Sequence, residues 1–173
     1  MQILRDLILI GVPPVMLGLA IFYLLRQYLV REENQSHQEM RMERLRLVNP
    51  LRFQAYERMV LLLERITPSQ LIMRNNVPGG NAREMHQALI SNIRQEFDHN
   101  LSQQLYISSN AWELIKNARE GVVSAINTSA SQLKEDATST DLARLILQDE
   151  MEGGISTIYK ALEFLKEEAR QIF

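Results

Sequence analysis

Glu96 and His99 are the residues whose types and spacing come closest to a chemical site. Three apart on a helix, a glutamate and a histidine share one face, and Glu-x-x-His pairs of this kind supply ligands in helical di-metal bundles. Such a site needs a second pair and two further glutamates. The chain has three histidines, His37, His86 and His99, and the residue three before His86 is Arg83. The second pair is missing, so no metal is expected. His99 reads instead as part of a polar helix face with Asn100, Gln103 and Gln104.

Nucleophilic chemistry has no better footing. The chain has no cysteine, which removes thiol nucleophiles, thiolate ligands and disulfides. Serine, histidine and aspartate are present, but no Gly-x-Ser-x-Gly turn holds a serine in an exposed position. Gly79-Gly80 lacks the lysine and the glycine frame of a phosphate-binding loop and reads as a plain loop. With no convergent acid, base, nucleophile or metal set, the expectation is a protein that is not an enzyme. Neither cofactor nor catalytic residue is assigned.

The elements that position these residues are helices, because no stretch alternates with period two. Asn49-Pro50 reads as a stop and restart. The next helix carries Leu51, Ala55, Met59, Leu62 and Ile66 as one apolar stripe. Thr67-Pro68 starts a short turn, and Asn75 to Gly80 is the clearest loop. Asn81 with Glu84 resembles a capping box. It opens a helix with Met85, Leu89, Ile93, Phe97, Leu101 and Leu105 on its apolar stripe. Asn110 and Glu113 read as the next cap pair, ahead of Ile115, Ala118, Val122, Ile126 and Leu133. Trp112, the sole tryptophan, is a core or interface anchor. After a polar turn, Glu135 to Thr140, the last helix runs from Asp141 to Gln171. Gly153-Gly154 interrupts it with a kink, a break or a close crossing, since glycine costs about 1 kcal/mol against alanine inside a helix.

Ahead of this body lies Leu7 to Leu25, which contains no charged residue. As a helix it is about 28 Å long, close to the hydrocarbon thickness of a bilayer. Arg26, Arg31, Arg41 and Arg44 follow it, so Lys/Arg bias places the C-terminal body in the cytoplasm. Tyr23 and Tyr28 suit an interfacial belt. Pro13 and Pro14 strain the span. Gly18-Leu19-Ala20 has the spacing of a signal-peptidase site, but the weak n-region and the apolar residues that follow favour a retained anchor. From Arg31 to Arg83 the charge is +3, and from Glu84 to Phe173 it is −6. The basic part suits an anionic leaflet, and the acidic remainder argues against nucleic acid.

The segments PLRFQAYERMVLLLERITP, EFDHNLSQQLYIS and AWELIKNARE, behind a short N-terminal span, resemble an uncharacterised family of small single-pass bacterial membrane proteins. The likeness covers nearly the whole chain. It implies an inner-membrane setting and a helical cytoplasmic domain, and it assigns no site residues.

The expected architecture is all-α, with a transmembrane anchor over residues 1–30 and a polar helical stalk over 31–49. A cytoplasmic antiparallel helical bundle fills 50–173. The expected function is a membrane-tethered scaffold or adaptor that binds a protein partner, or itself, beside the lipid bilayer. The alternative is an accessory subunit of a membrane transport or secretion complex. Two segments are richer than core packing requires, and they supply the candidate contact residues. Tyr56, Arg58, Glu64 and Arg65 come from the first, where Met59 to Leu63 is wholly apolar. His99, Gln103, Gln104 and Tyr106 come from the second, read as a buried or half-buried polar network.

Overall fold

The computed structural model describes residues 2–75 and 79–172; within the first helix the side chains of 2–15, 20, 29–39, 41, 44 and 45 lie outside the description. All its regular elements are helices. They are α1 (Gln2–Arg65), α2 (Pro68–Asn75), α3 (Ala82–Asn100), a 3-10 turn (Leu101–Leu105), α4 (Ser109–Ser131), α5 (Ser139–Met151) and α6 (Ser156–Ile172). The chain divides into two compact units, Met1–Val48 and Asn49–Phe173.

The first unit is helical. Its described large apolar side chains between Met16 and Tyr28 are exposed. Among the described residues, no helix is long and apolar enough to cross a membrane. Much of the expected span, residues 7–15 and 20, lies outside the described side chains, as does His37 of the stalk.

Helix α1 runs through Asn49-Pro50 without the expected stop. A proline inside a helix forfeits one backbone bond, here at an exposed position, so the chain continues helical.

The second unit is a bundle around one core. Ala55, Met59, Leu62 and Ile66 of α1 are buried there as the stripe requires, together with Leu63. Leu51, at the start of that stripe, remains exposed. Helix α4 packs on α3, α5 and α6, and α3 packs on α2 and α5. Phe97 meets Trp112 and His86 meets Asn127, so α3 and α4 run antiparallel. The inward residues of α4 are Ile115, Ala118, Val122 and Ile126. Those of α5 and α6 are Leu142, Ile146, Ile158, Leu162 and Leu165. At Gly121 helix α6 passes so close that an added Cβ would lie 2.5 Å from Thr157 Oγ1.

Several helix ends differ from expectation. Asn81 caps α3 by accepting from the Arg83 N–H at 2.7 Å, not through a box with Glu84. Helix α4 begins earlier than the Asn110–Glu113 pair suggested. Ser108 is extended and accepts the Ala111 N–H at 3.1 Å, while Glu113 pairs with Lys116. The capping box lies instead at Thr138 and Asp141. Thr67 donates to the Glu64 carbonyl at 2.8 Å and closes α1, and Pro68 takes the first position of α2.

The last helix is two helices. Gly153 has φ +87°, and the Gly154 N–H reaches the Asp149 carbonyl while the Gly153 N–H reaches that of Glu150. These paired bonds form a Schellman ending, which needs a left-handed residue one beyond the cap. The loop expected at Asn75 to Gly80 is described only at its edges, where Asn75 ends α2 and Gly79 has φ +78°.

Candidate functional site

The Glu-x-x-His pair is the first arrangement to resolve. Glu96, on α3, accepts from Arg65 at 2.6 Å and lies 3.6 Å from Arg74. Arg74 in turn donates to the Arg65 carbonyl. The Glu96 side chain is 19% exposed, and both guanidinium groups face its Oε1, so the carboxylate's charge is already balanced by two cations. His99 is exposed. Among the described residues, no group of three or more His, Asp or Glu side chains converges for a metal. Spacing along one helix could not reveal the Arg65–Glu96–Arg74 cluster, because its partners come from α1 and α2.

The candidate contact residues separate into three groups. Tyr56 is only 2% exposed and belongs to the core, so it is not available as a surface contact. Its hydroxyl accepts from the Ser108 N–H at 3.4 Å, and Ser108 Oγ donates to Glu168 at 2.9 Å. Burial, followed by the neighbouring Glu168 carboxylate, raises the phenol above its usual range. Glu64 and Arg65 are exposed but paired, with Lys166 at 3.5 Å and with Glu96. Arg58, His99, Gln104 and Tyr106 are exposed, and Gln103 is half-buried. The fold does draw the two stretches together: Arg65 meets Glu96, Tyr56 meets Ser108, and Arg52 donates to the Tyr106 carbonyl.

Within Glu96 to Ser108 the half-buried polar bonds lie at the two ends, at Glu96 and Ser108, while Asp98, His99 and Gln104 between them are exposed. Of the polar residues in this stretch only Asn100 is buried, donating to the Glu96 carbonyl at 2.8 Å. Leu101 and Leu105, placed on the apolar stripe by sequence, are 44% and 78% exposed. The cause is the 3-10 turn: its tighter winding rotates successive side chains away from the α-helical phase.

Two features escaped sequence reasoning. The first is a stack in which Phe97 and Trp112 lie 5.2 Å apart between centroids and the Arg119 guanidinium sits 4.3 Å over the Phe97 ring. The second is a cleft of about 550 Å³ between the start of α3 and the end of α4, lined by Arg83, His86, Ala130, Leu133, Lys134 and Glu135 among others. His86 joins its two walls through Asn127 at 2.8 Å. The start of α5 is tied to the same corner, where Asn81 and Thr138 form a β-bridge with Ser139 N–H bonded to the Gly80 carbonyl at 2.8 Å. The arrangement offers cationic and apolar surface but no convergent acid, base and nucleophile.

A model for a family of unknown function, DUF7935, matches residues 2–172. The chain belongs to that family. No curated protein and no solved structure matches it. The DUF7935 match bears out the resemblance to an uncharacterised family over nearly the whole chain, and it names no activity, partner or site residue.

Proposed function

We propose that this DUF7935 protein is a membrane-tethered scaffold or adaptor, which binds protein through its helical bundle and performs no catalysis. The observation that carries the reading is the surface of the second unit. Its core is closed, yet Met73, Leu105 and Met151 are 70%, 78% and 89% exposed. A partner that covered these side chains would take apolar surface out of water.

The tether is the uncharged segment Leu7–Leu25, with arginines on its C-terminal side. The exposed side chains of Met16, Leu17, Leu19 and Phe22 are surface that a bilayer would cover. The Lys/Arg bias favours a single span in a bacterial inner membrane with the bundle in the cytoplasm.

The test uses the full chain in bacterial membranes. After an alkaline carbonate wash the protein stays with the lipid; its release would overturn the tether. Crosslinking of the washed membranes, followed by mass spectrometry, recovers either another protein or a second copy. That capture is lost when Met73, Leu105 and Met151 are changed to serine. Recovery of nothing above background, or capture unaffected by the substitutions, would overturn the proposed surface.

A further inference from the structure

We propose that the cleft between α3 and the end of α4 receives the acidic end of α5 from a second copy of this chain. This rests on the scaffold reading and names its partner. The receiving surface has an apolar floor, Ala130 and Leu133, under a cationic rim, Arg83 and Lys134. Among the described residues neither rim cation enters an ion pair. The start of α3 adds the partial positive charge of a helix N-terminus. Glu135 is the one acid in the lining. Lys134 lies in a stretch, Glu84 to Phe173, whose net charge is −6, and Arg83 immediately precedes it.

The complementary element is at the other end of α5. Met151 is 89% exposed, the most exposed large apolar residue among those described. Asp149, Glu150 and Glu152 flank it in the chain, no lysine or arginine occurs from Leu145 to Tyr159, and Arg144 lies further back along the same groove. The Schellman turn at Gly153 ends the helix abruptly, so the methionine stands as an apolar knob with Leu147, Gln148 and Glu152 beside it. Floor and knob match in polarity, and the cationic rim matches Glu152 and the acidic end of α5 in charge. Such matching fixes register and excludes other pairings more than it adds raw affinity.

A chain cannot fill its own cleft with its own knob. The β-bridge holds the start of α5 at the cleft, and a 13-residue helix carries its far end about 20 Å away. The contact is therefore between copies.

The absence of cysteine permits a direct test. Ser131→Cys is placed beside the cleft in one full-length chain and Gln148→Cys beside the knob in a differently tagged one. The two are mixed in detergent micelles and treated with a short bismaleimide. The expected product is a mixed species of twice the chain mass, in clear excess over a control that pairs Ser131→Cys with Glu113→Cys. Adding Arg83→Glu and Lys134→Glu to the first chain lowers the yield roughly tenfold, in line with the coupling of close interfacial charges. Glu152→Lys in the second chain restores part of it. A yield no higher than the control, or one unchanged by the double charge reversal in a chain whose melting curve is native, would overturn the contact. If crosslinked membranes still capture another protein at that point, this contact falls and the scaffold reading stands; if they capture nothing, both fall.

Discussion

Tyr159 shows what a single side chain contributes and how to measure it. Its hydroxyl donates to Glu150 at 2.6 Å, and that bond, followed by partial burial, pushes its pKa up to about 12. A phenol whose folded pKa lies above its unfolded value of 10.0 keeps its proton longer in the native state. Its contribution is complete below pH 10 and fades as pH rises toward about 12. Tyr56 has the same sign, its pKa raised first by burial. Chemical denaturation between pH 9 and 12 is therefore expected to show falling stability, and Tyr159→Phe should flatten part of the fall. An unchanged slope in that variant would remove Tyr159 from the account. Tyr56→Phe tests a different quantity at neutral pH. It leaves the Ser108 N–H without its acceptor in a half-buried site, which costs about 1–3 kcal/mol. Sequence marked Tyr56 as notable but assigned it to the surface. Periodicity put it at the edge of the buried stripe, and only the fold shows that Ser108 and Glu168 close over it.

Helices were readable where their stripes were long, and less readable where they ended. The inward sets of α1, α3 and α4 follow from period 3.6, because one face of each must leave water. The ends depend on single hydrogen bonds. Asn110 and Ser108 both suit a cap, and the choice falls on the residue whose backbone is extended, Ser108. The interruption at Gly153-Gly154 was legible as a weakness. That it is a true stop follows from the two backbone bonds that Gly153 permits at φ +87°. Gly153→Ala puts a Cβ into the left-handed region and is expected to cost about 1–2 kcal/mol, measured as a lower denaturation midpoint. Gly121 sets a different limit, through close packing against Thr157. Gly121→Val should overpack the α4–α6 crossing by about 1–3 kcal/mol; an unaltered melting temperature would mean that Thr157 turns aside and the crossing has slack.

At the scale of the whole molecule, the bundle from Asn49 to Phe173 holds its own core. The family match extends over both units, residues 2–172. If the apolar N-terminal run is only a tether, replacing Leu7–Leu25 with an unrelated apolar span of equal length leaves the bundle's contacts intact. The Ser131→Cys and Gln148→Cys chains then crosslink to the same yield in the same micelles. If the run instead packs against other spans, as in an accessory subunit of a larger complex, the exchange abolishes capture from membranes while the bundle still melts as before. The two results differ because the basic cleft and the acidic knob both lie beyond Asn49, whereas an intramembrane contact would need Gly11, Gly18 or Ala20 for close approach. The tether reading therefore predicts that yield is set by the charges of Arg83, Lys134 and Glu152 and falls as salt screens them, and that it is independent of which apolar sequence occupies the span.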